Sequence, residues 1–252
     1  MPANPTERFS NRVENYIKYR PHYPGEILDY LSDKGILKKD SDIADVGSGT
    51  GILSELFLKN GNKVYGIEPN KEMREAGEEY LKQYTNFISV DGTSENIPLE
   101  KFSVDLITAG QAFHWFDIPK TKREFRRILK PEGRVILIWN VRWLDGTPFL
   151  TEYEELLIRF GTDYLKVRHE NIDNNALNKF FSGNYEHKTF YNEQVFDFES
   201  LKGRLLSSSY SPTEDMPVYK PMLNELEKIF NENNVDGRII FPYDTNLYLG
   251  KV

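Results

Sequence analysis

The sequence predicts an α/β fold in which a parallel sheet is covered by helices. Short apolar segments alternate with amphipathic segments from residue 42 to residue 140, which is the pattern of repeated βαβ units. The last apolar segment, Arg134–Trp139, is nearly continuous, as in strands that are buried on both faces. A chain of 252 residues with 39% hydrophobic and 28% charged residues can bury one full core. We therefore expect a single domain over residues 1–252.

The elements of this pattern follow one another in order. The N-terminal segment predicts a helix over residues 6–19, which ends before Pro21, and a second helix over 25–37. The predicted strands cover residues 42–46, 63–67, 86–90, 104–109 and 134–140. The helices between them cover residues 51–60, 70–83 and 117–129. This alternation predicts strands that run side by side in the same direction.

The pattern changes after Asn140. Residues 147–184 are helical and loop-rich in character, with the clearest helix over 151–160. The remaining predictions are a strand over 186–198, helices over 199–206 and 217–231, and two extended segments over 238–241 and 246–249. We expect this part to elaborate the sheet of the first part.

Composition excludes several classes of protein. The net charge is −7 and the pI is near 5.3, and the basic residues between Lys120 and Arg134 fit a solvated helix face, so we expect no nucleic-acid binding. The chain has no cysteine and four scattered histidines, so we expect no disulfide, no thiolate chemistry and no metal site. No apolar run reaches the roughly 18 residues of a membrane span, and the N-terminus lacks a signal-peptide core. We expect a cytoplasmic protein with no membrane partner.

The most informative motif is a glycine-rich turn after the first predicted strand, Asp45-Val46-Gly47-Ser48-Gly49-Thr50-Gly51. Glycines at alternate positions let the backbone turn sharply and approach a ligand closely. The helix that follows offers unpaired N–H groups and the positive end of its dipole. Glu68, at the end of the next strand, is placed to accept hydrogen bonds from a ribose. Together these features predict a nucleoside-binding βαβ unit.

The spacing within this turn narrows the choice of ligand. A nicotinamide dehydrogenase uses G-x-G-x-x-G, and a P-loop has a lysine after its last glycine; neither pattern is present. Asp45 would repel a pyrophosphate but suits a positively charged amino group. The predicted ligand therefore has an adenosine end and an amino-acid end, as S-adenosylmethionine has.

Four stretches resemble class I S-adenosylmethionine-dependent methyltransferases, of the type 11 kind, in the same order and spacing. They are the glycine turn with Glu68, Gly92–Leu99, Ser103–Ile107 and Leu129–Arg134. The resemblance covers roughly residues 40–140. It implies a Rossmann-like fold with a mostly parallel seven-stranded sheet, helices on both faces, an antiparallel last strand and a helical, lid-like insertion. It also implies that residues 25–140 bind the cofactor, while 1–24 and about 147–220 form cap or substrate elements.

The resemblance implies a set of cofactor contacts. The methionine portion would lie on the glycine loop with Asp45 near its ammonium group, Glu68 would bind the ribose hydroxyls, and Asn70 would lie beside the adenine. Thr93 stands where the family often has an acid, so we expect backbone groups of Thr93 and Ser94 to contact the adenine edge. The residues expected to bind the cofactor are Tyr16, Arg20, Asp45, Gly47, Ser48, Gly49, Thr50, Gly51, Glu68, Pro69, Thr93, Ser94 and Gln111.

The loop after the fourth predicted strand, Gln111–Asp117, is a candidate for substrate contact, because ligands collect at the carboxyl ends of parallel strands. It resembles the alanine–x–histidine–tryptophan loop of a small-molecule subgroup that includes trans-aconitate methyltransferase-like proteins. Gln111 would contact the methionine part of the cofactor, and His114 would orient the substrate or act as a general base. An alternative is that His114 and Trp115 only pack the loop onto the next helix. Arg142, after the fifth strand, is a further candidate to bind an acidic substrate.

The stretch from Tyr16 to Pro24 also resembles that subgroup. The carboxylate of the cofactor needs a cation, and the glycine loop carries none, so Arg20 is the expected bidentate partner and Tyr16 would cover the same end. An alternative is that Arg20 simply anchors the N-terminal segment.

These expectations combine into one predicted activity: methyl transfer from S-adenosylmethionine to a small molecule, with a carboxylic acid as one acceptor class, by direct in-line displacement. The product would be S-adenosylhomocysteine. Such a reaction mainly requires alignment and exclusion of water, which suits a chain without a metal cluster or catalytic triad. A monomer and a homodimer both fit the sequence. The alternative is a non-catalytic sensor or partner protein that binds S-adenosylmethionine, because fold alone does not establish function.

Overall fold

The structure, a computed structural model, describes residues 17–167 and 174–252 and is built on one seven-stranded sheet in the order β3-β2-β1-β4-β5-β7-β6. Strands β1 to β5 run parallel, and β7 lies between β5 and β6 and is antiparallel to both. The strands are β1 (Asp42–Val46), β2 (Lys63–Ile67), β3 (Phe87–Val90), β4 (Val104–Gly110), β5 (Leu129–Arg142), β6 (Tyr185–Phe196) and β7 (Ile239–Gly250). This topology confirms the predicted mostly parallel sheet with an antiparallel last strand.

Helices connect and cover these strands. They are α1 (Glu26–Asp33), α2 (Ile52–Lys59), α3 (Lys71–Tyr80), α4 (Ile118–Ile128), α5 (Pro148–Phe160), α6 (Tyr164–Val167), α7 (Asn174–Phe181), α8 (Phe198–Leu206) and α9 (Tyr219–Asn233). A short 3₁₀ turn, Phe113–Trp115, precedes α4. Most boundaries lie within three residues of the predicted ones. The predicted helix over 6–19 falls largely outside the described residues, of which 17–19 are helical.

Two strands differ from the sequence prediction. Strand β5 begins at Leu129, because Leu129 already pairs with Val104 before an irregularity shifts the register between the two strands. The two predicted C-terminal segments form one strand, β7, in spite of Pro242 between them. The carbonyl of Pro242 accepts from the N–H of Trp143, one residue after β5 ends. The proline nitrogen points to the same side, where β5 no longer continues, so β7 loses no ladder hydrogen bond there.

Three apolar clusters hold the layers together. Side chains of α1 and α2 cover one face of the sheet, and those of α4 and α7 cover the other. A third cluster joins α5, α8 and α9 to Phe241 and Tyr243 in the first half of β7. Within the range 147–220, α5 and α8 belong to this third cluster and β6 belongs to the main sheet, while α9 lies almost entirely beyond that range. None of the described helices is long and apolar enough to cross a membrane.

Candidate functional site

The glycine loop connects the end of β1 to the start of α2. Gly47, Gly49 and Gly51 all have positive φ angles, of 70°, 55° and 84°. A Cβ on Gly47 would lie 2.6 Å from the Cβ of Ala112, and one on Gly51 would lie 2.4 Å from Leu81. The loop therefore needs glycine for its backbone conformation and also because neighbouring side chains pack directly against it.

Most N–H groups of the loop donate hydrogen bonds to acceptors within the protein. The N–H groups of Gly47 and Ser48 donate to the carbonyl of Ile67, at 2.9 and 3.1 Å. The N–H of Gly49 donates to Glu68. A pyrophosphate is normally bound by free loop N–H groups. The loop is thus poorly equipped for a dinucleotide, in agreement with its glycine spacing.

Glu68 lies against this loop, directly after β2. One carboxylate oxygen accepts from the N–H of Gly49 at 2.9 Å, and the other accepts from the N–H of Asn70 at 2.8 Å. The residue is only 9% exposed, and burial raises the pKa of its carboxyl group against the lowering effect of the two N–H donors. Each carboxylate oxygen can accept a second hydrogen bond, which is the capacity that a ribose diol requires. Asn70 caps α3 by accepting from the N–H of Met73, and Pro69 between them is half-buried.

Asp45 lies beneath the glycine loop, in the interior of the protein. Its side chain is fully buried, and its two oxygens accept from the hydroxyls of Ser54, at 2.6 Å, and Thr108, at 3.1 Å. Burial raises the pKa of this carboxyl group to about 6, although the two hydroxyl bonds lower it. Asp45 therefore joins α2 and β4 beneath the loop, and its expected contact with an ammonium group stays a prediction.

Gln111, the first residue after β4, combines a strained backbone with an unsatisfied acceptor. Its φ is 56°, a left-handed value that a residue other than glycine rarely adopts. Its side-chain nitrogen donates to the carbonyl of Asn140 at 3.1 Å. Its side-chain oxygen is buried and has no hydrogen-bond partner among the described residues, and the same holds for the hydroxyl of Thr50 in the glycine loop. Such groups are rare, and a water, an ion or a ligand with hydrogen-bond donors would satisfy them.

The 3₁₀ turn after Gln111 presents His114 and Trp115 on the surface. Both are exposed, and their rings lie 4.6 Å apart. Phe113, between Ala112 and His114, is buried and packs edge-on against Phe180 at 4.9 Å. Phe113 therefore anchors the turn, and the role of the two exposed rings in substrate contact stays a prediction. The turn also approaches the glycine loop, because Ala112 lies against Gly47.

Thr93 and Ser94 form a tight turn after β3. The N–H of Thr93 donates to Asn96, and its carbonyl accepts from the N–H of Asn96. The Ser94 side chain is buried and bonds to Glu95 at 2.8 Å and Thr121 at 3.1 Å. The N–H of Thr93 is therefore used within its own turn, and the expected contact of the Thr93 and Ser94 backbone with an adenine edge stays a prediction.

Residues 17–24 cross the carboxyl ends of β4 and β5. The hydroxyl of Tyr23 lies over Gly110, where a Cβ would come within 2.4 Å of it. The side-chain nitrogen of Asn140 donates to the carbonyls of Pro21, at 3.4 Å, and His22, at 3.3 Å. Arg20 donates to the carbonyl of Ser207, just after α8, at 3.0 Å. Tyr16 lies outside the described residues.

Arg142 ends β5 and is held by a carboxylate of the protein. Its Nη2 donates to Glu154 and, at 3.0 Å, to the hydroxyl of Tyr164, and only 10% of its side chain is exposed. The hydroxyl of Tyr164 in turn donates to Glu154 at 2.6 Å. Glu154 thus neutralises this guanidinium in the structure, and the binding of an acidic substrate by Arg142 stays a prediction.

Sequence reasoning missed Asn140. Its oxygen accepts from Thr245 at 2.5 Å and from Asn192 at 3.3 Å, so this amide joins β5, β6 and β7 to the N-terminal segment. Asn140 is a polar amide at the end of an otherwise apolar segment, and this is the signal in the sequence that could have identified it.

Comparison with known proteins identifies similar chains. A sequence model described as a methyltransferase domain matches residues 44–137. An uncharacterized methyltransferase of Schizosaccharomyces pombe is 33% identical over 150 residues, which are 59% of this chain and 58% of that protein. The chain thus aligns with about three fifths of the length of the curated relatives it matches.

Solved structures share the fold. A candidate type II methyltransferase from Anaeromyxobacter dehalogenans superposes with a TM-score of 0.68 at 15% identity, covering 92% of this chain and 98% of that one. A protein of Methanococcus maripaludis, named as a candidate S-adenosylmethionine-dependent methyltransferase, superposes with a TM-score of 0.55 at 24% identity, covering 75% and 91%. At these identities the likeness concerns the fold.

Proposed function

We propose that the chain is a methyltransferase, as the match of a methyltransferase domain model to residues 44–137 supports, and that it binds S-adenosylmethionine and transfers its methyl group to a small-molecule acceptor. The observation that carries the proposal is the Glu68 carboxylate, which is held against the glycine loop by the N–H of Gly49. Under this proposal residues 25–140 hold the cofactor, and 1–24 and about 147–220 form the cap and acceptor-binding elements.

The donors and acceptors of the site fit this cofactor. Glu68 accepts from the ribose hydroxyls with its remaining lone pairs, and the glycine loop admits the methionine portion. The side-chain oxygen of Gln111, which has no partner among the described residues, accepts from the ammonium group. The Thr50 hydroxyl also has no partner among those residues, and the cofactor would supply one. Arg20 supplies the cation for the carboxylate while its bond to Ser207 fixes its position. The other residues assigned to the cofactor are Tyr16, Ser48, Pro69, Asn70 and Ser94.

The protein's own residues orient the acceptor and manage its proton. S-adenosylmethionine, when bound, supplies a methyl group that is already activated by the adjacent sulfonium. The task of the chain is then to align the acceptor in line with that methyl group and to exclude water. His114, exposed beside Trp115, takes the proton when the acceptor is a hydroxyl or an amine, since its ordinary pKa lies near neutrality. A carboxylate acceptor needs no base.

Calorimetric titration tests the cofactor assignment. We expect S-adenosylmethionine and S-adenosylhomocysteine to bind, and NAD not to bind. Glu68→Gln should weaken S-adenosylhomocysteine binding at least tenfold, about 1.4 kcal/mol, because the carboxylate that anchors the ribose is lost. Glu75→Gln, on the exposed face of α3, is the matched control and should leave the affinity unchanged. Equal affinities for the two variants would refute the ribose assignment.

A second measurement separates an enzyme from a sensor. Release of S-adenosylhomocysteine is followed with a panel of small carboxylic acids, alcohols and amines as acceptors. Acceptor-dependent release supports methyl transfer. Tight cofactor binding without release for any acceptor supports the non-catalytic alternative.

A further inference from the structure

Arg204, in the last turn of α8, is a buried cation to which the described residues give no carboxylate partner. It is 7% exposed. Its Nε donates to the hydroxyl of Tyr243 at 3.3 Å, and its Nη1 donates to the hydroxyl of Ser208 at 3.1 Å. No carboxylate within residues 17–167 and 174–252 forms an ion pair with it. A guanidinium has five N–H donors, so most of them remain unmatched by the described residues.

Arg142 provides a comparison within the same cluster. The two guanidinium carbons lie 5.8 Å (Arg142) and 5.9 Å (Arg204) from the centre of the Phe241 ring. Arg142 is neutralised by Glu154, while Arg204 has only neutral hydroxyls. A buried charge is strongly unfavourable unless it is paired, so a protein retains an unpaired one only where something else supplies the counter-charge. The fork of the guanidinium matches a carboxylate in a bidentate manner.

Arg204 is connected to the segment that crosses the carboxyl ends of β4 and β5. A Cβ on the preceding residue, Gly203, would come within 2.1 Å of the Tyr19 ring, so α8 packs directly against that segment. The hydroxyl of Tyr243 donates to the side-chain oxygen of Gln194 at 2.8 Å, and the nitrogen of Gln194 donates to the carbonyl of Tyr19 at 3.2 Å. The same segment reaches Gly110, next to Gln111, through Tyr23. Arg204 is therefore separated from the proposed cofactor site by one short segment of chain.

We propose that Arg204 is the anion-binding residue of the acceptor pocket and that the methyl acceptor is a small organic acid, whose carboxylate pairs with this guanidinium. The proposal rests on the proposed methyl transfer, but it concerns a residue that takes no part in holding the cofactor. Tyr243 and Ser208 act as positioning residues, because they hold two edges of the guanidinium and leave Nη2 for the acid.

The test uses thermal unfolding of the full chain saturated with S-adenosylhomocysteine. The probes are succinate, citrate and benzoate, each compared with its neutral amide and with sodium chloride at the same ionic strength. At a concentration of about ten times Kd, a bound acid should raise the midpoint by about 3 °C or more, and the amide should not. Arg204→Met should abolish this shift, and Arg204→Lys should retain part of it. Lys202→Met, which removes a half-buried cation two residues away that pairs with Glu199, should keep the full shift.

Two further readouts separate the possible failures. Without any acid, Arg204→Met should unfold at the same temperature as the unmutated chain or at a higher one, because an unpaired buried charge is removed. Its calorimetric affinity for S-adenosylhomocysteine should stay within twofold. The absence of any acid-specific shift, an unchanged shift in Arg204→Met, or a clearly lower midpoint of that variant without acid would each overturn the role of Arg204. Failure of the unmutated chain to bind S-adenosylhomocysteine would instead refute the proposed function.

Discussion

The carboxyl edge of the sheet is divided into an acidic half and a basic half. Below and beside the glycine loop, Asp45 and Glu68 are 0% and 9% exposed, and burial raises the pKa of both carboxyl groups. Beyond β5, Arg142 and Arg204 share the Phe241 ring with Glu154 as their one carboxylate among the described residues. Among the described residues, the acidic half has a buried side-chain oxygen of Gln111 without a hydrogen-bond partner, while in the basic half the guanidinium of Arg204 bonds only to two hydroxyls.

This division matches the charges of the two proposed ligands. S-adenosylmethionine carries a sulfonium and an ammonium group, which suit the half that contains buried carboxylates. An organic acid carries the opposite charge and suits the half that contains Arg204. Each half also keeps a charge buried at a cost in stability, which is a pattern typical of functional sites. If this comparison is correct, substitutions in the two halves should have different effects on stability and on ligand binding.

The largest effect is expected in the basic half, at Glu154. Glu154→Gln keeps the size of the side chain but leaves Arg142 without its counter-charge, so we expect a loss of about 3–5 kcal/mol in the free energy of unfolding. Urea unfolding followed by circular dichroism measures it. Glu155→Gln, on the exposed face of the same helix, is the control and should change stability by less than about 0.5 kcal/mol.

The contrast with Arg204 is the informative part of that experiment. Arg142 and Arg204 lie at the same distance from one ring, yet the loss of the counter-charge at Arg142 should be severe while the loss of Arg204 itself should not be. If Glu154→Gln proves as stable as Glu155→Gln, the two arginines are equivalent. Arg142 would then no longer support the binding of an external anion at Arg204.

In the acidic half, Asp45 should leave a signature in the pH dependence of stability. Its carboxyl pKa rises from 3.8 to about 6 on folding, so the folded state binds the proton more readily and ionisation destabilises it. The penalty is absent below about pH 4 and complete above about pH 6. A shift of roughly two units, at 1.36 kcal/mol each, corresponds to about 3 kcal/mol. The free energy of unfolding of Asp45→Asn relative to the unmutated chain should rise by about that amount between pH 4 and pH 7.

Denaturant unfolding at each pH measures this difference. Asp145→Asn, in the exposed loop after β5, serves as the control and should show a difference that does not vary with pH. If the difference for Asp45→Asn is also independent of pH, ionisation of the buried carboxyl group does not destabilise the folded chain.

The acidic half was more accessible to sequence reasoning than the basic half. The glycine loop and Glu68 belong to one βαβ unit, so a local pattern was enough to predict that they lie together. Even there, the pattern did not reveal that Asp45 faces Ser54 and Thr108 instead of the loop surface, because the direction of a side chain at a strand end depends on what packs below it.

The basic half depends on contacts between distant parts of the chain. Arg142 ends β5 and Arg204 lies in α8, and both lie close to the ring of Phe241 in β7. Which arginine is neutralised depends on Glu154 of α5, and no spacing in the sequence signals that pairing. The choice of Arg142 as a substrate residue came from its position at a strand end, and no pattern in the sequence indicated its pairing with Glu154.

The smallest effect is expected at Gln111, where stability and binding should move in opposite directions. Gln111→Gly removes a side chain from a left-handed backbone position, so we expect the chain to gain about 1 kcal/mol of stability. The same change removes the unsatisfied oxygen proposed to receive the cofactor's ammonium group, so S-adenosylmethionine should bind more weakly, by roughly tenfold. Asp236→Gly is the matched control, because Asp236 has a φ of 50° in an exposed turn: it should gain stability and leave the affinity unchanged. If both variants bind S-adenosylmethionine equally well, the left-handed backbone of Gln111 has a structural reason, and its side-chain oxygen does not accept from the cofactor.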